Sequence, residues 1–199
     1  MALSSPNRMV WTHFRSLRRI AARVSKLEDE TERQDEIVLT ILMSVTAVEA
    51  FLNVYFRVLV EQPRFAHFRD MVLEDLSPAD GGQPRGLAYK LRHWAPKVLG
   101  QSFAWQSGTA HGFEQLRLLR NKLMHFTSSY ESIKIPGARI EGLARTDCYD
   151  QLTAQDARRA VLLAEGMLEE TFRLAGVEEA SVPWELHSWT GKPPAPSRA

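Results

Sequence analysis

Asp35 to Val60 reads DEIVLTILMSVTAVEAFLNVYFRVLV, and this stretch decides the fold. Ile37, Leu42, Val45, Val48, Phe51, Leu52, Tyr55, Phe56 and Leu59 make it apolar on nearly every side. Such a pattern marks either a helix buried at the centre of a bundle or a membrane span. Glu49, Asn53 and Arg57 interrupt it at four-residue steps, and Glu and Arg are costly near the middle of a bilayer. The stretch therefore reads as the central helix of a soluble bundle, with no membrane partner. Mutual pairing along one helix face accounts for the spacing of the three polar residues.

The neighbouring segments supply the rest of a bundle. From Asn7 to Lys26, Val10, Phe14, Leu17, Ile20 or Ala21, and Val24 recur three or four residues apart, which predicts an amphipathic helix. Pro63 bounds the central helix, and Phe65, Phe68, Met71, Val72 and Leu76 predict a short one after it. A loop over Ser77 to Gly82 follows, then a helix from about Gly86 to Leu99, an irregular stretch 100–112, and a helix from about Phe113 to Phe126.

Residues 127–151 contain Pro136, Gly137 and Gly142 among β-branched residues, and read as a long excursion with a small hairpin around Ile133 to Ile140. Thr153 followed by Asp156 reads as a capping pair for a helix carrying Ala157, Val161, Ala164, Leu168 and Phe172, which Gly176 ends. Pro183, Pro193, Pro194 and Pro196 predict an extended or disordered tail. The expectation is an all-α protein: an antiparallel bundle of about five to six helices forming one domain over 1–180, with a tail over 181–199.

The chain has 199 residues, 44% apolar and 25% charged, enough for a real core. The one cysteine, Cys148, allows neither an internal disulfide nor a thiolate metal cluster. The N-terminal residues lack the basic and apolar runs of a secretory signal, so the expected location is cytoplasmic. Net charge is only +1, yet it is zoned. Residues 1–27 carry Arg8, Arg15, Arg18, Arg19, Arg23 and Lys26 without an acid. From 85 to 122, Arg85, Lys90, Arg92, Lys97, Arg117, Arg120 and Lys122 face Glu114 alone, whereas 141–185 is mainly acidic. Zoning of this kind permits a phosphate-attracting surface on a nearly neutral molecule.

Chemistry concentrates on the helix 113–126. Leu116, Leu119, Leu123 and Phe126 share one face, and Glu114, Arg117, Asn121 and His125 another. Metal-free RNA cleavage needs a base for the 2′-hydroxyl proton and a cation for the phosphate. His125 suits the first task and Arg120 the second, with Asn121 placed to orient the imidazole or the phosphate. Both are expected on the polar rather than the packing side. They are five residues apart, roughly 140° on a straight helix, so joint action requires unwinding near His125 or a second chain. The spacing alone is weak, since Arg8 and His13 repeat it. His13, His67, His93, His111 and His187 lack paired metal-ligand spacing, so neither zinc nor another cofactor is expected. Trp94 and Trp105 read as core aromatics in preference to base-stacking groups.

The string Leu116-Arg117-Leu118-Leu119-Arg120-Asn121-Lys122-Leu123-Met124-His125 resembles the signature helix of HEPN (higher eukaryote and prokaryote nucleotide-binding) domains. Residues 44–53, with Glu49 and Asn53, are similar to that family's long second helix, and 87–92 are similar in style to the segment before its signature. The resemblance covers residues 9–175 in outline and implies a homodimeric helical bundle acting as an endoribonuclease that leaves a 2′,3′-cyclic phosphate. Arg120, Asn121 and His125 would be catalytic, and Arg117, Lys122, Glu49 and Asn53 would bind RNA. Family members include toxins held by an antitoxin protein and abortive-infection nucleases. Where the antitoxin is a nucleotidyltransferase, a Tyr stands two residues after the His; here that position is Thr127. The alternative is a non-catalytic dimeric module binding a partner protein or nucleotide, which the near-zero net charge and the acidic C-terminal third favour.

Overall fold

The computed structural model describes residues 5–125, 130–136, 138–144 and 147–194, with backbone alone at 125, 130–135, 138–144, 147 and 148. Its elements are α1 (Arg8–Val24), α2 (Glu30–Leu59), α3 (Arg69–Leu76), α4 (Leu87–Trp94), α5 (Gly108–His125), β1 (Tyr130–Ile135), β2 (Ala138–Ala144), α6 (Asp147–Asp150), α7 (Ala154–Leu174) and α8 (Val182–Thr190). A π-helical turn, Ala95–Leu99, prolongs α4. Among the described residues the fold is all-helical apart from one antiparallel hairpin, in which Ile133 pairs with Ile140 as the sequence predicts.

α2 is the central helix, packed by α1, α3, α5, α6 and α7. Among the described residues it alone is long and apolar enough to cross a membrane, and half of its most apolar window is buried within the protein. It starts five residues earlier than its apolar run, because the Asp29 carboxylate accepts the Glu32 backbone N–H at 2.8 Å and holds the polar first turn in helical form. The short connection 25–29 turns the chain back, so α1 and α2 lie antiparallel, with Arg23 paired to Glu36 at 3.0 Å near the turn. Val10, Phe14 and Leu17 of α1 are fully buried against this core.

α7 completes the centre. Its Asp156 carboxylate accepts both the Thr153 backbone N–H, at 2.8 Å, and the Thr153 hydroxyl, at 2.7 Å. Its buried Glu165 carboxylate receives Arg18 of α1 at 3.1 Å and Lys192 at 2.6 Å. The Tyr149 hydroxyl donates to Asp35, which ties the excursion after α5 to the start of α2. That hydrogen bond to a carboxylate pushes the Tyr149 phenol up to about 12.

Two short helices add to the six expected. α6 is a single turn, and α8 lies inside the segment read as a tail. Pro183 sits in the first turn of α8, where the missing N–H has no intrahelical acceptor to lose. A proline read as a breaker is therefore a helix start. Val182, Leu186 and Trp189 are buried, and the Trp189 ring meets Phe51 and Tyr55 edge-on with centroids 5.5 and 5.4 Å away. Residues 191–194 have no regular structure, and 195–199 lie outside the described residues.

Candidate functional site

α5 carries the predicted catalytic string, and its position follows from contacts with α7 and α2. The helices α5 and α7 approach closely at two glycines. A Cβ on Gly112 would lie 2.7 Å from Leu163, and one on Gly166 the same distance from Thr109. α5 begins at Gly108, five residues before the sequence expectation. The Glu170 side chain of α7 accepts hydrogen bonds from Thr109 and from the Ala110 backbone, so an acid from another helix satisfies donors at this N-terminus. Burial nevertheless holds the Glu170 carboxyl above its ordinary value, outweighing those bonds.

Phe113, Leu116 and Leu123 form the packing face of α5. Arg120 stands at the same side of the helical wheel and is half-buried, contrary to its expected place on the polar side. Seven residues separate Phe113 from Arg120, about two turns, and that period brings the arginine back over the packing stripe. Its Nη1 donates to Asn121 Oδ1 at 3.2 Å, and its buried Nε has no acceptor among the described residues. Asn121 is half-buried, Lys122 is exposed, and Leu118 and Met124 are exposed apolar side chains beside them. His125 is the last residue of α5, and its side chain lies outside the described residues, as does Thr127.

The other expected RNA-binding residues are engaged internally. Arg117 forks onto Glu114 with bonds of 2.8 and 2.9 Å, and Arg92 of α4 reaches the same carboxylate at 3.2 Å. The Arg117 hydrogen bond, with its charge, holds the Glu114 carboxyl below its ordinary value and raises Arg117 in return. Glu49 and Asn53 do not pair with Arg57, which is exposed. They bind the buried Lys90 ammonium of α4, at 3.4 Å from Glu49 Oε1 and 2.7 Å from Asn53 Oδ1. No hydrogen bond or ion pair joins Glu49 or Asn53 to Arg120 among the described residues. Lys90 was legible in principle: it stands on the Leu87, Leu91, Trp94 stripe, where helical spacing places core residues. Trp94 is a core aromatic, as expected, and Lys90 Nζ lies 5.6 Å from its ring.

The basic zone 85–122 is thus largely neutralised from within. Arg85 pairs with Asp75 at 3.5 Å, Lys90 with Glu49, and Arg92 and Arg117 with Glu114. Lys97, Arg120 and Lys122 make no ion pair among the described residues. Comparison of the chain with models of protein families, with curated proteins and with solved structures finds no match.

Proposed function

We propose that this protein is a cytoplasmic, metal-independent endoribonuclease of HEPN type, acting as a homodimer. The observation that carries the reading is the state of Arg120. It is half-buried and without a carboxylate partner among the described residues, while Arg92 and Arg117 are spent on Glu114. A guanidinium in partial burial with a free donor has high affinity for an anion, and phosphate matches its planar fork. Asn121, already bonded to Arg120, links that anchor to the polar face of α5.

In this mechanism His125 takes the proton from the ribose 2′-hydroxyl. The 2′-oxygen then forms its bond to phosphorus, and the 5′-oxygen leaves with a proton from an imidazolium. The products are a 2′,3′-cyclic phosphate and a 5′-hydroxyl. Arg120 balances the charge that grows on the phosphoryl oxygens. Because α5 is regular up to His125, a second protomer supplies the histidine for each Arg120. An RNA strand is the substrate, and an antitoxin protein is the partner that a toxin of this type would require.

The test incubates purified protein with mixed RNA in EDTA and maps new ends. His125→Ala and Arg120→Ala each lose about a hundredfold or more in rate, whereas His13→Ala keeps full activity. Circular dichroism and the conservative Arg120→Lys separate catalysis from packing, since Arg120 is half-buried. Mixing the two inactive variants restores roughly a quarter of the wild-type rate, from one intact composite site in half of the dimers. No restoration rejects the shared site, and loss of cleavage in EDTA rejects the metal-free route. Absence of cleavage by wild type favours the second reading, a non-catalytic dimeric binding module, for which the internal neutralisation of the basic zone speaks.

A further inference from the structure

We infer that the outer face of α1 is a binding groove for single-stranded nucleic acid, holding consecutive phosphates on Arg8, Arg15 and Arg19 and stacking a base on Trp11. This inference stands independently of cleavage at α5.

Two of the arginines of α1 are paired: Arg18 binds Glu165 at 3.1 Å and the Thr190 carbonyl, and Arg23 binds Glu36 at 3.0 Å. Arg8, Arg15 and Arg19 have no acidic partner among the described residues, and all three are exposed. Their spacing of seven and four residues returns them to one stripe of the helix, about 10 and about 6 Å apart along its axis. Three like charges in a row on one stripe repel one another, so the arrangement favours a ligand with several anions in a line over a single anion.

These arginines border a groove of about 750 Å³ between α1 and the end of α8. Besides the arginines and Trp11, its lining residues are Ser5, Asn7, Thr12, Ser16 and Ser188, which contribute hydroxyl and amide groups. Asn7 is fixed there, its Nδ2 donating to the Ser188 carbonyl at 2.6 Å. Trp11 is fixed too: a Cβ on Gly191 would collide with the indole, so the ring rests directly on the glycine backbone. Trp11 as a residue is nevertheless 41% exposed, and the Arg15 guanidinium carbon lies over its ring, 5.8 Å from the centroid. The immobilised, partly open indole has Arg15 over its ring, and Arg15, Arg8 and Arg19 lack an acidic partner among the described residues; a base stacks on the indole as the Arg15 guanidinium moves to a phosphate. A lipid surface would instead favour aliphatic side chains around the arginines, and hydroxyl and amide groups line this groove.

The test measures anisotropy of a fluorescent 2′-O-methyl RNA 12-mer, which the 2′-hydroxyl chemistry cannot cleave, across a salt series. Three phosphate contacts give a slope of about −2 in log K against log salt, at about −0.7 per phosphate on a single strand. Arg15→Ala/Arg19→Ala flattens the slope by about 1.4. Trp11→Ala weakens binding about 5- to 150-fold with the slope unchanged, the range that stacking of one base supplies. Arg64→Ala/Lys97→Ala removes two exposed charges elsewhere and leaves both quantities as in wild type. Arg15→Lys/Arg19→Lys keeps the slope and guards against a folding artefact. The inference is overturned if wild type does not bind at low salt, if the groove variants bind like wild type, or if anionic phosphatidylserine vesicles are bound and the 12-mer is not. Because the probe is inert to cleavage, a failed groove and a failed ribonuclease give different results.

Discussion

Lys90 shows what a single residue does here. Its side chain is 2% exposed, and a buried ammonium needs compensation that Asn53, Glu49 and the Trp94 ring provide together. The contact fastens α4 to α2, so Glu49 and Asn53, which interrupt the central helix, are docking groups for its neighbour. Lys90→Ala leaves Asn53 and Glu49 without their donor and is expected to cost about 2 kcal/mol, less than a fully buried ion pair because Glu49 retains partial access to water. Lys90→Met keeps the stem and loses only the ammonium, with an expected cost of about 1 kcal/mol. Urea midpoints of the two variants check the order; equal losses would show that stem packing contributes nothing.

At the scale of the element, α5 and its partners respond to pH through Glu114. Its folded carboxyl is held low, first by the Arg117 hydrogen bond. A depressed carboxylate contributes stability that is complete above its ordinary value of 4.5 and is lost as pH falls through the lowered one. Wild type should therefore lose stability more steeply than Glu114→Gln as pH falls below the ordinary carboxylate value. Parallel acid-unfolding curves for the two proteins would contradict this. The elements legible in the sequence are those whose signals are local: the stripe of α1, the apolar run of α2, the Thr153–Asp156 pair at α7 and the Ile133–Ile140 hairpin. The start of α5 was not, because its N-terminal donors at Thr109 and Ala110 are satisfied by Glu170, which is distant along the chain. The site was legible in composition and not in geometry. Residue types named Arg120, yet only the fold shows it half-buried and shows Arg117 already occupied.

The whole molecule depends on a segment whose prolines suggested no structure. α8 closes the aromatic cluster of Phe51, Tyr55, Phe172 and Trp189. Trp189→Ala should open a cavity costing about 3 kcal/mol, a fall of about 6–12 °C in Tm for a chain of this size. A thermal melt unchanged by the substitution would show that α8 contributes little to the core. The same end of the chain reaches back to the beginning: Asn7 meets Ser188, Trp11 rests on Gly191, and Arg18 and Lys192 share Glu165. α1 and α8 are thus clasped side by side, and each also packs on the long central helix. A mechanical pull that separates α1 from α8 would load this clasp and, through Phe14 and Trp189, the central helix at once, so the molecule would resist as one unit.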